Sequence, residues 1–130
     1  MKQRGFTVIE VLVVLTFIIA GAIVFYTQQA KVNSSLRDDE RKVAINAMYY
    51  SLEEYYYPSK GFYPESIDSA TLRTVDPELF TDPNGNAFDS ADSSYRYESS
   101  GCDTEGRCKS YKLTGYLEDE DDYVKESRRD

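Results

Sequence analysis

Residues 5–29 read GFTVIEVLVVLTFIIAGAIVFYTQQ, and this stretch decides the fold. It carries no charge from Val11 to Tyr26, and a helix needs about 20 mostly apolar residues to cross a bilayer core. Glu10 is the exception, a single carboxylate near the start of the apolar run. A lone carboxylate in hydrocarbon is costly and is generally kept there for function. The sequence therefore predicts a membrane helix in which Glu10 needs a cation.

The nearest candidate cation for Glu10 is a chain terminus, because the basic side chains Lys2 and Arg4 both precede Gly5. If the chain is cut after Gly5, Phe6 carries a free α-ammonium group. On a helix, Phe6 would lie one turn before Glu10 and on the same face. The amine can pair with Glu10 of its own chain or with that of a neighbouring chain. Only the second pairing makes one subunit recognise the next.

The leader KQRG (residues 2–5), followed by FTVIE (residues 6–10) and the apolar run, resembles the class III signal of type IV pilins and type II secretion pseudopilins. The resemblance implies that a prepilin peptidase cuts after Gly5 and methylates the amine of Phe6. It also implies that Glu10 guides assembly. Val8 is a mild departure, because members of this family usually have leucine there.

An ordinary signal peptide or a plain membrane anchor is the alternative interpretation of this stretch. A secretory signal has a shorter apolar core that ends in small residues at a cleavage site. Residues 20–22, AGA, fit that pattern loosely, but the apolar run continues through Tyr26 and Glu10 interrupts it. The basic residues before the run place the N-terminus in the cytoplasm and the bulk of the chain outside.

The sequence and its resemblance predict an α+β fold, in which a long N-terminal helix packs its second half on a small antiparallel sheet. The predicted segments are a leader (1–5), a transmembrane or filament-core helix (6–29), an amphipathic helix half (30–57), a globular head (58–118) and an acidic tail (119–130). In the head we expect a short helix over residues 66–75, one more turn over 76–80, and strands over 94–98 and 111–117.

The amphipathic half is predicted from apolar residues that recur at helical spacing. The expected inward stripe is Val32, Leu36, Val43, Ala47, Met48, Leu52 and Tyr55. Pro58 predicts the end of this helix at residue 57, because the residue before a proline disfavours the α conformation. Most of the many tyrosines are expected to pack between helix and sheet, and the remainder are candidates for contacts with other subunits.

Cys102 and Cys108 lie in a polar loop between the two predicted strands. Their spacing is not a zinc pattern, and the chain has no histidine to complete four ligands. Outside the membrane the two thiols are expected to form a disulfide, whereas in a reducing compartment they would stay free.

The acidic composition limits what the chain is expected to bind. The formal net charge is −8, which argues against direct nucleic-acid binding. Asp82, Asn84 and Asn86 match the first ligands of a calcium loop, but Ala87 and Ser93 replace its required glycine and glutamate. We therefore expect no metal or cofactor, with calcium as a minor alternative that could also involve Asp89, Asp92 and Asp103. The tail over residues 119–130 is expected to stay solvated rather than to meet a basic partner.

Three functions fit these features, and none is enzymatic, because no motif brings a nucleophile or paired acids together. The first is a subunit of an extracellular type IV pilus, held in the cell membrane by one span before assembly. The second is a pseudopilin of a type II secretion system. The third is a membrane-anchored binding domain that does not polymerise. For the first two, the resemblance implies as partners other copies of the chain, minor pilins or pseudopilins, the prepilin peptidase and an inner-membrane assembly platform.

The predicted cleavage can be tested at Gly5. Mass spectrometry of the cellular protein should find a mature chain that begins at Phe6 with a methylated amine. A bulky substitution, Gly5→Trp, should leave the chain uncut, because Gly5 must fit a small peptidase pocket. An intact Met1 in assembled filaments would contradict the prediction.

Overall fold

The computed structural model describes residues 5–129, so the predicted leader cations Lys2 and Arg4 lie outside the described residues. The chain divides into two compact units, residues 1–34 and residues 35–130. The fold is α+β, as predicted: a long N-terminal helix with an apolar first part, and small antiparallel sheets against which the helix packs.

The helix is 53 residues long and runs from Val8 to Lys60. It consists of α1 (Val8–Tyr50), a π-helical segment (Ser51–Tyr56) and α2 (Tyr57–Lys60). It begins two residues later than predicted, because Thr7 caps it: the Thr7 hydroxyl accepts the N–H of Glu10 at 3.3 Å, and its carbonyl accepts that of Val11 at 3.1 Å.

Pro58 does not end the helix, and the prediction of a stop at residue 57 is wrong. Pro58 occupies the first turn of α2, where the missing N–H of a proline costs little. The helix ends instead at Gly61, which adopts a left-handed conformation with φ of +78°. Its N–H donates to the carbonyl of Tyr57 at 2.7 Å, which completes a glycine C-cap.

Two small antiparallel sheets form the rest of the head. In the first, β1 (Tyr63–Pro64) pairs with β3 (Arg107–Cys108). In the second, β4 (Ser110–Gly115) lies between β2 (Tyr95–Ser100) and β5 (Tyr123–Glu126). The two predicted strands correspond to β2 and β4, while β1, β3 and β5 were not predicted.

The segment between β1 and β2 is built mainly of turns. The helix predicted over residues 66–75 is absent, and turns take its place. The predicted turn at residues 76–80 is present as a 3₁₀ helix (Pro77–Phe80), capped by the Asp76 carboxylate, which accepts the Glu78 N–H at 3.0 Å. The residues predicted to point inward, Ile67, Leu72 and Val75, are buried, so burial was predicted better than backbone geometry.

The face of α1 that enters the core differs from the predicted stripe. Met48 and Leu52 are fully buried, as expected. The helix residues that turn out to be buried with them are Ser34, Asp38, Arg41, Ala44, Ile45, Ser51 and Glu53. Four residues of the predicted stripe are instead exposed, namely Val32, Leu36, Val43 and Tyr55. The prediction failed because it assigned every charged residue to the outside, whereas Asp38 and Arg41 pair with each other on the inner face.

The acidic tail matches the prediction of a solvated segment in part: residues 119–122 are exposed, whereas the residues after them form a strand. Residues 123–126 form β5 and pair with β4 in the register Gly115 to Tyr123 and Lys112 to Glu126. The Tyr123 hydroxyl donates to the side-chain oxygen of Asn46 on α1 at 3.0 Å. The tail is ordered because apolar and aromatic residues follow its acids and complete the sheet.

Gly115 provides a test of how closely the sheet approaches the helix. A Cβ atom at this position would lie 2.9 Å from Cγ1 of Ile45, which is itself fully buried. Gly115→Ala should therefore lower the free energy of unfolding by about 1–3 kcal/mol, the usual cost of overpacking. Thermal unfolding followed by circular dichroism measures this, with Lys112→Ala, an exposed change on the same strand, as the control within about 0.5 kcal/mol. Equal stability of the two variants would contradict the close packing.

Candidate functional site

The apolar first part of the helix is the main candidate site in the unit formed by residues 1–34. Its most apolar stretch of 18 residues has a mean hydropathy of 2.8, and none of that stretch is buried. Large apolar side chains are exposed around the whole helix, with Phe6 at 77% and Phe17 at 74%. A helix that is apolar on all sides requires an apolar environment. It is long and apolar enough to cross a membrane, and a signal sequence would share these properties.

Glu10 differs from the other polar residue in this apolar stretch. Between Val8 and Phe25 the polar side chains are those of Glu10 and Thr16. The Thr16 hydroxyl donates to the carbonyl of Leu12 at 2.8 Å, so it is satisfied by its own helix. Within residues 5–129 the carboxylate of Glu10 has no hydrogen-bond donor or cation as a partner. Glu10 therefore retains its full capacity to bind a cation from elsewhere.

Phe6 and Glu10 are near each other in sequence but do not share the helix. Phe6 precedes the first helical residue, Val8, and is exposed in the uncut chain. The expectation that Phe6 lies one helical turn before Glu10 concerns the chain cut after Gly5, and it stays a prediction. Glu10 lies in the first turn of α1, where the positive end of the helix dipole favours a carboxylate.

In the unit of residues 35–130, the start of the acidic run is bound to α1. The Glu118 carboxylate accepts from Nη2 of Arg37 at 2.6 Å and from Nη2 of Arg41 at 2.8 Å. Nη1 of Arg41, whose side chain is 1% exposed, also donates to Asp38 at 2.7 Å. Asp38 accepts the backbone N–H groups of Glu118 at 2.9 Å and of Asp119 at 2.9 Å. Lys42 holds Glu120 in the same way, at 2.7 Å.

These contacts shift the pKa values of both carboxyl groups downward. Hydrogen bonds from Arg37, the larger contribution, and from Arg41 lower the pKa of Glu118 to about 2. Burial opposes ionisation of Asp38, but the N–H groups of Asp119 and Glu118 and the guanidinium of Arg41 outweigh it. The pKa of Asp38 therefore lies below its usual value. The acidic run is thus a structural anchor of the head rather than a free binding surface at its start.

A second buried carboxylate, Glu53, lies in the π-helical segment and is 1% exposed. It accepts the hydroxyl of Tyr111 at 2.9 Å, the hydroxyl of Tyr63 at 3.1 Å and the backbone N–H of Arg128 at 3.1 Å. Burial and the nearby negative charge raise the pKa of both tyrosines, so their hydroxyls stay protonated and keep donating. Glu53 therefore connects the helix, both sheets and the end of the chain.

The turn considered as a minor alternative for calcium is held by hydrogen bonds to Asp82. The Asp82 carboxylate is buried and accepts the N–H groups of Asn86 at 2.8 Å, Ser94 at 2.8 Å and Asn84 at 3.0 Å. Gly85 takes a φ of +86°, as the predicted turn requires. The carboxylate oxygens of Asp82 thus already accept hydrogen bonds from backbone N–H groups in and after the loop. Within the described residues, no three carboxylate or thiol groups are arranged to hold a metal ion.

The predicted disulfide between Cys102 and Cys108 is present, and it closes the loop that leads into β4. The tyrosines are mostly packed, as expected. Buried or partly buried against the core are Tyr49, Tyr56, Tyr57, Tyr63, Tyr95, Tyr97, Tyr111 and Tyr123. The exposed ones are Tyr26, Tyr50, Tyr55 and Tyr116.

Asp38, Arg41 and Glu53 were missed as inward-facing residues. A signal for the first two exists, because opposite charges three residues apart lie on the same helical face as Ile45 and Met48. No comparable signal exists for Glu53, whose donors come from residues 63, 111 and 128.

Comparisons of the chain with known protein families, with curated proteins and with solved structures found no match. The architecture is nevertheless pilin-like: a long apolar N-terminal helix is packed on small antiparallel sheets, with a disulfide in the head.

The anchor at Glu118 predicts a loss of stability in acid. A carboxylate whose pKa is lowered on folding stabilises the fold above its ordinary value of 4.5, and this contribution is lost as the pH falls toward about 2. The melting temperature of the head should therefore fall between pH 5 and pH 2. Glu118→Gln should weaken this dependence and should lower the stability at pH 7 by about 1–3 kcal/mol, because the buried Arg41 loses the negative charge of its partner and one acceptor oxygen is replaced by a donor that faces the arginines.

The matched control for this experiment is Glu98→Gln, an exposed strand residue without an ion pair among the described residues. It should leave the acid dependence unchanged. A Glu118→Gln chain that still loses stability in acid as steeply as the wild type would show that other carboxylates cause the effect.

Proposed function

We propose that this chain is the structural subunit of a type IV pilus, an extracellular filament assembled by packing of the N-terminal helices. The observation that carries the proposal is Glu10, a carboxylate without a partner within residues 5–129, in the apolar first part of the helix, where all side chains are exposed. Such a helix needs lipid or other helices around it, and such a carboxylate needs a cation at the same depth.

In the proposed mechanism, Phe6 supplies that cation after cleavage. Cutting after Gly5 gives the exposed Phe6 a free α-amine, and the amine of one subunit pairs with Glu10 of the next. Moving an apolar helix from lipid into a filament gains little from hydrophobicity, since lipid is equally apolar. Packing and the ion pair therefore supply the specificity, while an assembly platform supplies the work.

The outer face of α1 supports packing between subunits beyond the membrane span. Leu36, Val43 and Tyr50 recur every seven residues and are 57%, 59% and 51% exposed. Residues seven apart lie on the same helical face, so they form an apolar stripe that the head leaves uncovered. In a filament this stripe would lie against neighbouring subunits.

Location, processing and partners follow from the same proposal. The subunit would wait in the cell membrane with its N-terminus in the cytoplasm, be cut by a prepilin peptidase, and then join other copies and minor pilins outside the cell. Its role would be structural rather than catalytic. A disulfide in the head suits an oxidising location outside the membrane.

Two other functions remain as alternatives. A type II secretion pseudopilin would share the helix and the Glu10 chemistry, and the turn at Asp82–Asn86 resembles a loop of that family. A membrane-anchored binding domain would use the helix only as an anchor and would have no need for Glu10. Mass spectrometry of fibres sheared from the cell surface distinguishes the pilus subunit from both alternatives, because the subunit is present in the fibres only if it forms a pilus.

The pairing mechanism predicts the behaviour of Glu10→Leu. Leucine retains an apolar helix, so insertion, cleavage and folding of the head should be normal. Without the carboxylate, the amine of the neighbouring Phe6 would be left unpaired, and removing one partner of a buried ion pair typically costs about 3–5 kcal/mol. The amount of subunit in sheared fibres, relative to that in membranes, should therefore fall to background when Glu10→Leu is the only copy.

Thr16→Leu is the matched control, because it also removes a polar group from the apolar helix, but one that is satisfied by its own backbone. It should give normal fibres. If Glu10→Leu alone also gave normal fibres, the pairing mechanism would be wrong.

A further inference from the structure

An open cavity of about 560 Å³ lies beside the π-helical segment in the unit of residues 35–130, where nothing so far assigns a role. Its volume is within the range of small-molecule sites. The lining residues that carry its chemistry are Ser51, Tyr55, Tyr56, Lys60, Arg73 and Thr74. The floor is formed by Leu72, which is 1% exposed.

The charge of this cavity is opposite to that of the chain. The protein has 23 acidic residues and a net charge of −8, yet none of the residues lining the cavity is acidic. Lys60 and Arg73 both line it, and neither forms an ion pair within residues 5–129. By contrast, Arg37, Arg41 and Arg128 are each paired with a carboxylate. Arg73 Nε donates to the carbonyl of Ala70 at 3.4 Å, and neither cation is neutralised by a carboxylate within the described residues. Two such cations in an acidic protein favour an anionic ligand of small size, because the remaining surface repels an extended polyanion.

The other lining groups have the chemistry of a sugar site. Tyr55 presents an exposed aromatic side chain, and Tyr56 is fixed by an edge-to-face contact with Phe62 at 6.1 Å between ring centroids. Aromatic rings offer an apolar face and a polar tip. The hydroxyls of Ser51 and Thr74 lie 2.6 Å apart, and each can exchange this mutual bond for one to a ligand hydroxyl.

The π-helical segment is what brings these groups together. Ser51, Tyr55 and Tyr56 lie on it, and Lys60 lies in the α2 turn that follows directly. π-Helical segments occur frequently at functional sites, because they change the direction of side chains relative to a regular helix. Here the segment sends Glu53 into the core and the two tyrosines to the cavity.

A second cavity of about 560 Å³ shares Lys60 with the first. Its lining includes Phe62 and Lys109, so it repeats the combination of an aromatic ring and a cation. Its acidic residue, Asp103, is held by Arg107 at 2.8 Å. Lys60 thus stands between two aromatic and basic cavities, which suits successive units of one short chain.

We propose that these cavities bind an acidic oligosaccharide with carboxylate-bearing sugar units. Arg73 and Lys60 contact the carboxylates, Tyr55 packs against a sugar face, and the Ser51 and Thr74 hydroxyls contact sugar hydroxyls. A guanidinium matches a carboxylate through two parallel hydrogen bonds, which gives the site its selectivity for the charged sugar. The inference concerns the head alone and does not depend on whether the chain polymerises.

Isothermal titration of the full-length chain in non-ionic detergent micelles tests the proposal. The probes are trigalacturonic acid, its uncharged methyl ester and inorganic phosphate. We expect binding of trigalacturonic acid that weakens with added salt, and affinity at least tenfold lower for the ester and for phosphate. Binding of the ester as tight as that of the acid, equally tight binding of phosphate, or no binding of the acid would overturn the proposal.

Substitutions then locate the site. Arg73→Ala and Tyr55→Ala should each weaken binding by about tenfold, because a charge-assisted hydrogen bond or an aromatic contact is lost. Arg73→Lys should retain part of the affinity, since it keeps the charge. The matched control is Lys112→Ala, which removes an exposed cation that lines neither cavity and should change the affinity less than twofold.

All these positions are exposed, so the melting temperature should be unchanged in each variant. Arg73→Ala that binds as well as Lys112→Ala would place the ligand elsewhere and contradict the assignment. Tighter binding of a short single-stranded oligonucleotide, (dT)₆, than of trigalacturonic acid would likewise overturn it in favour of a nucleic-acid site.

Discussion

A helix with apolar side chains on every side cannot remain in water, and this constraint governs the first part of the chain. From Val8 to Phe25 only two polar side chains interrupt it, and Thr16 is satisfied by its own backbone. Glu10 is therefore the single group in this stretch that can recognise something by charge. Lipid provides the apolar surroundings but no partner for Glu10, whereas a second subunit can provide both. This difference is the physical basis for the proposed filament.

The head follows a different rule, because it buries charged groups and satisfies them. Arg41, Asp38 and Glu118 form one network, and Glu53 accepts hydrogen bonds from two tyrosines and a backbone N–H. Removing one member of such a network costs more than the network contributes in total, because a buried group is left unpaired. The two networks attach the C-terminal part of the chain to α1 and to the π-helical segment, at separate points. The acidic tail is thereby part of the fold.

The cavity beside the π-helical segment shows where the chain departs from its general acidity. Within residues 5–129, five arginines are engaged by carboxylates, whereas Lys60 and Arg73 form no ion pair and line a cavity that has no acidic residue. A subunit that is repeated many times in a filament would present such a site many times. Weak binding of each sugar chain would then become strong through multivalency. The proposed filament and the proposed ligand are thus compatible, although each rests on different residues.

The sequence by itself determined the long N-terminal helix, the apolar run with Glu10, the strands β2 and β4, the turn at Gly85 and the pairing of the cysteines. These features depend on local rules, namely apolar periodicity, turn chemistry and the oxidation expected outside a membrane. Only the tertiary structure decided which face of α1 is buried. The charged residues on that face are satisfied by a distant residue: Arg41 donates to the Glu118 carboxylate, 77 residues away, and Asp38 accepts the Glu118 N–H, 80 residues away. The helix continues past Pro58 for a local reason, because Pro58 lies in the first turn of α2 and Gly61 caps its end. The tertiary structure also decided that the tail forms β5 and that Lys60 and Arg73 line one cavity, since both depend on contacts between segments that are separate in the chain.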